Sequence, residues 1–224
     1  VLGVRRRSKY LLLDLDEGLL MVHLGMSGSL RFAQNLPAHG AHDHFDLHTT
    51  HGILRLNDPR RFGAVVWAES ENDPQARKLL ASLGWEPLDD AFTADVFYQQ
   101  LARRRTAIKT LLLSGQVVVG VGNIYASETL FRARIHPEKI AAHLSHRQAD
   151  RLWHAVREVL AWAIEAGGST LRNYSNAQGR NGNFQLQAAV YGREGQPCIV
   201  CGSAVRKITQ GQRATYFCGR CQRR

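Results

Sequence analysis

The sequence predicts an α+β protein of several domains: a β-sandwich, a helical domain and a C-terminal zinc-finger hairpin. Three observations lead to this prediction. Apolar segments of strand type, broken by turn signals, occupy the first part of the chain, helical periodicity follows, and all four cysteines stand near the C-terminus. The chain has 224 residues, 44% of them hydrophobic, which is enough to bury a substantial core.

Residues 1–72 form the first predicted domain, the β-sandwich. Short runs rich in leucine and valine predict strands, and clusters of Asp, Glu, Gly, Asn and Pro between them predict turns. The predicted strands cover residues 10–15, 19–24, 52–56 and 64–67, with turns at 16–18 and 57–59.

Residues 73–174 form the second predicted domain, which is helical because apolar residues recur there at a spacing of three and four. The predicted helices cover residues 76–83, 94–104, 108–113, 124–132 and 145–165, and the last ends at the glycine pair 167–168. Residues 175–195 begin with a stretch rich in Gly, Asn and Gln, which predicts a loop and linker before the finger at 196–224.

The cysteines predict a structural zinc site. Cys198, Cys201, Cys218 and Cys221 follow the pattern C-x2-C-x16-C-x2-C, in which each pair delivers two thiolates from a tight turn. Two disulfides are the alternative, but this spacing is poor for bridges across a small fold. Four thiolates leave no open coordination position for water, so one Zn²⁺ with a structural role is expected.

The charge balance favours a polyanionic partner such as nucleic acid. Lys and Arg number 29 against 19 Asp and Glu, for a formal net charge of +10. Ribosomal and membrane-surface proteins share this balance, so charge alone does not choose among them. No apolar run approaches the ~20 residues that cross a bilayer, which excludes a membrane-spanning protein.

Two kinds of segment indicate how nucleic acid could be held. Residues 120–123 (GVGN) stand before a predicted helix, and their exposed amides could face a phosphate, although a plain helix–helix turn is the equal alternative. The basic run 103–105 and Lys109 lie nearby in sequence. Residues 58–62 (DPRRF) and 24–28 (LGMSG) predict loop tips suited to wedging between bases, or else ordinary turns whose apolar side chains pack inward.

The histidines at 39–51 raise the possibility of a second metal site. His42, His44, Asp46 and His48 alternate along the chain, however, and this pattern is typical of the solvent face of one strand. We therefore expect no metal there.

Six motifs carry a resemblance to a known family. They are RRSKYLLL at 6–13, HLGMSG at 23–28, DPRRFG at 58–63, GVGNIYASE at 120–128, VYGR at 190–193 and QRAT at 212–215. With the cysteine pattern, they resemble the bacterial formamidopyrimidine-DNA glycosylases in order along essentially the whole chain, and they differ from the related endonuclease VIII. The resemblance implies a β-sandwich, a helix-two-turns-helix domain and a zinc finger clamped on duplex DNA.

The resemblance also implies an activity and its residues. The family excises oxidised purines such as 8-oxoguanine and cleaves the abasic site by β,δ-elimination, and Lys9 and Arg213 match its assisting catalytic groups. His23, Asn123, Tyr191 and Lys207 match phosphate contacts, and Met26, Arg60 and Phe62 match the residues that fill the gap left by the flipped nucleotide. His42, Arg104 and Lys109 match positions that touch DNA or shape the pocket for the damaged base.

One departure from the family concerns the nucleophile. The resemblance implies an N-terminal proline amine followed by glutamate, whereas Val1 to Arg5 resemble sequence inside the first domain. The expectation is a fragment of a bifunctional glycosylase and lyase: a sandwich without its first segment, which by itself binds lesion DNA without excising the base. A natural damaged-DNA-binding protein without catalysis is the alternative. We further expect a monomer in the bacterial cytoplasm, associated with the nucleoid, and an uncertain lesion preference because residues 183–189 depart from the usual capping loop.

Overall fold

The computed structural model describes residues 1–167 and 188–224, which form two compact units. The first unit holds Val1–Ser82 with residues 166–167, and the second holds Leu83–Glu165 with residues 188–224. Most of the stretch at 175–195 expected to form a loop and linker lies outside the described residues.

The first unit contains two antiparallel sheets. One has the strand order β1-β2-β3-β7 and the other the order β4-β6-β5. Their strands are β1 (Gly3–Arg7), β2 (Tyr10–Asp14), β3 (Leu19–His23), β4 (Ser29–Ala33), β5 (Asp43–Thr49), β6 (Gly52–Asn57) and β7 (Ala64–Ala68). The two sheets pack through leucine, valine and phenylalanine side chains, so the predicted sandwich is confirmed.

The facing side chains explain why these strands stack. Leu13, Leu20 and Val22 of the first sheet are buried, and residues of the second sheet such as Leu47 and Leu54 pack against them. Leucine and valine on alternate positions of neighbouring strands give each sheet one apolar face, which must be covered to be stable.

Helix α1 (Pro74–Leu80) belongs to the first unit because it packs against β7. Asp73 caps the helix by accepting a hydrogen bond from the Gln75 amide at 2.7 Å, and Pro74 opens it. The division between the units therefore falls after Ser82, beyond the expected domain end at residue 72.

The second unit contains four helices among its described residues: α2 (Ala94–Ala102), α3 (Ile108–Ser114), α4 (Asn123–Ala133) and α5 (His146–Glu165). A short 3-10 helix, Ala141–His143, precedes α5. Thr93 caps α2, and Gly115 ends α3 in the left-handed conformation at φ 69°. All five predicted helices of the chain are present, with ends that differ by a few residues.

The core of this unit joins the four helices. Phe97 and Leu101 of α2, Ile108 of α3 and Leu130 of α4 are fully buried with Leu152 of α5. Burial of each such side chain stabilises the folded state by about 1.5–3 kcal/mol relative to leaving it exposed to water. No helix among residues 1–167 and 188–224 combines the length and the apolar character that a bilayer crossing requires.

The C-terminal residues form a hairpin of β8 (Arg206–Gln210) and β9 (Arg213–Phe217). Gly211 and Gln212 form its two-residue turn, and both have positive φ, at 52° and 62°. This is the conformation that the right-handed twist of a two-residue hairpin favours.

Candidate nucleic-acid interface and zinc site

The four cysteine sulfurs converge in the second unit, where all four Sγ atoms lie within 4.8 Å of one another. The Sγ–Sγ distance is 3.5 Å for Cys201 and Cys218 and 3.9 Å for Cys198 and Cys221. Tetrahedral zinc with Zn–S bonds of roughly 2.3 Å separates its sulfurs by roughly 3.8 Å, so the geometry fits one zinc ion. Four thiolates would complete the coordination of the ion, which would then stabilise the fold of the finger rather than take part in a reaction.

Gln222 connects the finger to the helical part of the unit, a role that was not predicted from the sequence. It is fully buried, its Oε1 accepts from the Cys218 amide at 2.9 Å, and its Nε2 donates to the Ile135 carbonyl at 2.9 Å. A glutamine one residue after a cysteine ligand gives no sequence signal of this kind, because its partner stands far away in the chain.

Lys109 occupies the centre of the contact between the helices and the finger. Its side chain is fully buried, and its Nζ donates to Asn123 Oδ1 at 2.6 Å, to Thr215 Oγ1 at 2.7 Å and to the Ala214 carbonyl at 3.1 Å. Burial, with a smaller effect of the Arg213 guanidinium, lowers the pKa of Lys109 to about 8. The ammonium is therefore still charged at neutral pH, and it uses all three of its N–H groups.

Asn123 links the same contact to Tyr191. The Asn123 Nδ2 donates to the Ala214 carbonyl at 3.0 Å and to the Tyr191 hydroxyl at 3.4 Å, and the Tyr191 and Tyr216 rings meet edge to face at 5.0 Å. Three of the predicted DNA-binding residues, Lys109, Asn123 and Tyr191, thus lie together beside the finger hairpin.

The GVGN turn leads directly into α4. Gly120 has a φ of 82°, which favours glycine, and Gly122 precedes the helix with no side-chain hydrogen bond to its first amides. An uncapped helix N-terminus carries partial positive charge and suits an anion. The geometry is thus compatible with the predicted phosphate contact.

Glu128 in α4 holds the backbone that leads into the finger, a second role that was not predicted from the sequence. Its carboxylate is buried and accepts from the amides of Ala189, Val190 and Tyr191 at 2.8, 3.0 and 2.8 Å. Three consecutive amides aimed at one carboxylate fix the backbone at Tyr191. The residue falls within the motif GVGNIYASE, but its role could not be read without the fold.

In the first unit, Asp58 ties together the two loops predicted to enter DNA. This buried carboxylate accepts from Ser27 Oγ at 2.8 Å, from the Gly63 amide at 2.7 Å and from the Arg60 amide at 3.3 Å. Burial acts to raise the pKa of Asp58, but these hydrogen bonds outweigh it, and the pKa is lowered overall. The carboxylate therefore stays ionised and holds both loops.

The tips of the tied loops are exposed. Met26 is 71% exposed and Phe62 is 61% exposed, and the Arg60 guanidinium carbon lies 5.6 Å from the centroid of the Phe62 ring. Gly25, at φ 62°, is essential to this approach, because a Cβ there would stand 2.5 Å from the Phe62 carbonyl carbon. Inward packing of Met26, the alternative weighed above, is not what the structure has.

His23 and Lys9 lie at the ends of neighbouring strands. His23 Nδ1 accepts from the Gly25 amide at 3.0 Å, and its ring contacts Tyr10 at 4.9 Å between centroids. Burial lowers the pKa of His23, and the charge of Lys9 lowers it further. Lys9 is exposed in the β1–β2 turn, and His42 is exposed just before β5.

The remaining predicted residues are basic. Arg213 is exposed directly after the hairpin turn, and Lys207 on β8 pairs with Glu194 at 3.0 Å, which raises the pKa of Lys207. Arg104 follows α2 and donates to Gln116 Oε1 at 3.2 Å. Within the described part of the chain, only the four cysteines are grouped as a metal site requires, and the histidines around β5 are not.

Comparisons with known proteins agree with these features. Three family models match: the formamidopyrimidine-DNA glycosylase N-terminal domain at residues 1–65, the H2TH domain of the same enzymes at 83–175, and a zinc finger found in FPG and IleRS at 195–224. The predicted zinc finger is therefore confirmed.

Relatives named formamidopyrimidine-DNA glycosylase are found in Acidovorax sp. (strain JS42) and Variovorax paradoxus (strain S110). They are 64% and 62% identical over 223 residues, which is 100% of this chain and 82% and 83% of theirs.

Two solved structures are also similar. The MutM (Fpg) protein from Thermus thermophilus has 42% identity and a TM-score of 0.90. The Lactococcus lactis Fpg in complex with abasic-site DNA has 34% identity and a TM-score of 0.87. In both cases the match covers 99% of this chain and 82% of the other.

Fold, site and comparisons together define a DNA glycosylase of base excision repair that carries a structural zinc finger. Its identity with the relatives extends over the whole chain, far above what a shared fold alone requires. The chain belongs to the formamidopyrimidine-DNA glycosylase family.

Proposed function

We propose that the enzyme to which this sequence belongs binds duplex DNA containing an oxidised purine or an abasic site, excises purines such as 8-oxoguanine and formamidopyrimidines, and cleaves the abasic strand by β,δ-elimination, with a nucleophile that is not among the residues assigned below. The pair of exposed loop tips joined by Asp58 is the observation that carries this proposal. Support also comes from the Lactococcus lactis Fpg, whose structures contain abasic-site DNA and Fapy-dG DNA.

The loop tips have the chemistry for replacing a flipped nucleotide. Unstacking a base costs a few kcal/mol, and apolar side chains that enter the gap offset this cost. Met26 and Phe62 are the apolar side chains, and Arg60 supplies donors for the base left without a partner. Exposing two large apolar side chains on neighbouring loops is unfavourable unless a partner covers them.

The second unit supplies the proposed phosphate contacts. Asn123, Tyr191 and the α4 N-terminus lie together, and Lys109 positions Asn123 without itself being exposed. Arg104 and Lys207 add basic groups in this unit, and His23 and His42 would add contacts from the first. Phosphate contacts of this kind give affinity and register without reading sequence.

Elimination needs groups that stabilise a departing phosphate. β-elimination removes a C2′ proton and breaks the C3′–O3′ bond, and δ-elimination then removes a C4′ proton and breaks the C5′–O5′ bond, so that a strand phosphate leaves in each step. We assign Lys9, an exposed cation in the β1–β2 turn, to assist the first step, and Arg213, an exposed cation at the start of β9, to assist the second. Cations aimed at developing phosphate charge lower the barrier.

The relatives are bacterial, so we place this protein in the bacterial cytoplasm, on nucleoid DNA. A damage-binding protein without catalysis is disfavoured, because relatives at 64% and 62% identity are named as glycosylases.

Two arginine variants test the division between base reading and phosphate contact. With a duplex carrying 8-oxoguanine, Arg60→Ala should lose about tenfold in preference for cytosine opposite the lesion while the salt dependence of binding is kept. Arg104→Ala should flatten the log–log salt slope by about one unit, because one phosphate contact is lost, while the preference is kept. Fluorescence anisotropy over a range of salt concentrations measures both quantities. Equal effects of the two changes on slope and preference would contradict the proposal.

A further inference from the structure

A groove of about 680 Å³ lies within the second unit, between strand β8, the turn after α4 and the last residues of the chain. The titratable side chains that line it are His136, Glu138, Glu194, Arg206, Lys207 and Arg224. Of these residues, only Lys207 has a part in the DNA contact proposed above.

Both carboxylates of the groove are already neutralised. Glu194 pairs with Lys207 at 3.0 Å, and Glu138 pairs with Arg224. Arg206 has no carboxylate within ion-pair distance in the part of the chain that the structure describes. The guanidinium carbon of Arg206 lies 3.2 Å from the position that a Cβ at Gly219 would occupy. A larger residue at position 219 would therefore crowd this guanidinium. The groove therefore carries one uncompensated positive charge.

His136 adds a donor on a side chain that is otherwise largely buried. It is only 6% exposed, and its ring meets Phe217 edge to face at 4.7 Å. Nδ1 accepts from the Glu138 amide at 3.2 Å, so the neutral ring carries its proton on Nε2. Among residues 1–167 and 188–224, no acceptor lies within hydrogen-bond distance of this Nε2.

The charge state of the ring agrees with this assignment. Burial lowers the pKa of His136, Glu138 opposes that effect, and Arg224 and Arg206 add to it. The ring is therefore neutral at pH 7. The Nε2–H is not enclosed by protein atoms, since His136 lines the groove, and it is therefore available there as a hydrogen-bond donor to a ligand.

We propose that this groove is a phosphate-binding site in which Arg206 and the Nε2–H of His136 donate to one phosphate group. Within the described residues neither of these donors has a protein acceptor, and the net charge suits an anion. The phosphate would belong either to the backbone of a DNA strand or to a free nucleotide. Val205, Ile208 and Phe217 give the groove an apolar wall, which a sugar or base beside the phosphate could contact.

Inorganic phosphate is the first probe, because it does not depend on lesion recognition. The ring ¹⁵N signals of His136 are followed by NMR in the zinc-loaded protein as phosphate is added, against potassium chloride of matched ionic strength. We expect a saturable shift with phosphate alone, and about fivefold weaker binding in Arg206→Gln, since one charge-assisted hydrogen bond is lost. Arg223→Gln is the matched control, because Arg223 is exposed nearby in sequence but does not line the groove.

A shift equal to that in chloride, or an equal loss in Arg206→Gln and Arg223→Gln, would overturn the proposal. A water molecule on His136 and a solvated Arg206 would then explain the groove. Failure of the Arg60 experiment above would leave this result unaffected, so the two proposals are separable.

The salt slope of duplex binding distinguishes the two sources of phosphate. If the site takes a DNA phosphate, Arg206→Gln should lower the slope by about one unit. If it takes a free nucleotide, the slope should stay unchanged and a nucleoside monophosphate should compete with inorganic phosphate at His136. Either of these results supports the proposed site, provided that inorganic phosphate gives the saturable shift at His136. A change in slope without phosphate binding would reduce Arg206 to an ordinary surface contact and overturn the proposal.

Discussion

At the scale of single residues, Lys109 shows how a buried charge can organise a binding surface. An ammonium removed from water is costly unless each of its donors finds an acceptor. Here Asn123, Thr215 and the Ala214 carbonyl accept from it, and two of these acceptors belong to the finger. The charge therefore joins α3, the start of α4 and the hairpin.

Lys109→Met should lower the free energy of unfolding by about 1–3 kcal/mol, because it keeps the length of the side chain but leaves buried acceptors unsatisfied. Urea unfolding of the zinc-loaded protein, followed by tryptophan fluorescence, measures the change. The control Lys78→Met, at an exposed position of α1, should stay within about 0.5 kcal/mol of the wild type. A more stable Lys109→Met protein would show that the desolvation cost exceeds what the hydrogen bonds return.

The contrast between Met26 and Asp58 shows which residues the sequence could indicate. Glycines on both sides of Met26 and the DPRRF segment identified two loop tips, and the structure leaves both exposed. The buried carboxylate that ties them was missed, since Asp58 beside a proline has the appearance of an ordinary turn residue. Hydrogen bonds between segments 31 residues apart leave no local pattern.

At the scale of elements, α4 has two functions that use different parts of the helix. Its N-terminus follows the GVGN turn with no side-chain cap, and Glu128 in its middle holds the backbone of residues 189–191. One helix thus positions an anion-ready terminus and Tyr191 together. Both depend on the packing of the helix into the core, where Leu130 and Ala133 are buried.

Glu128→Gln should release this backbone, because a glutamine side chain offers only one oxygen and turns an N–H toward amides that need an acceptor. We expect a loss of about 1–3 kcal/mol in unfolding free energy. Hydrogen exchange at Ala189, Val190 and Tyr191 should become faster, with weaker binding to duplex DNA. Glu158→Gln, at an exposed position of α5, is the control and should leave exchange unchanged. Unchanged hydrogen exchange in Glu128→Gln would show that Glu128 does not hold this backbone.

The elements also show where sequence patterns fail. The helices were predicted well because capping residues and glycines mark their ends, as Thr93 and Gly115 do. Strand β1 was missed because its sequence, GVRRR, has no alternation of apolar residues. Among the described residues β1 pairs with β2 alone, so backbone hydrogen bonds rather than burial define it.

At the scale of the whole molecule, zinc takes the place of a core in the finger. The buried cluster there consists of Phe131 from α4, Val190, Val205, Cys198 and Cys218. Two of these five are proposed metal ligands, so the apolar residues left are too few to hold the hairpin. The cysteine spacing alone predicted this module, because four ligands in two tight turns form a local sequence pattern. The contacts of Gln222 and Lys109 that attach the finger to the helices were not predicted, because they join residues far apart in the chain.

Removal of zinc should therefore unfold the finger and abolish tight DNA binding, while the helical core of α2 to α5 survives. The apolar contacts of that core do not involve the cysteines, but the hairpin supplies Ala214 and Thr215 to Lys109 and carries Arg213. Cys218→Ser should lose the metal, as measured with a zinc-sensitive chromophore, and weaken binding to an abasic-site duplex by about tenfold or more. Thr209→Ala, at an exposed position of β8, should keep both properties. Full binding by a Cys218→Ser protein that holds no zinc would show that the hairpin folds on its remaining contacts, and the metal would then have no part in the DNA interface.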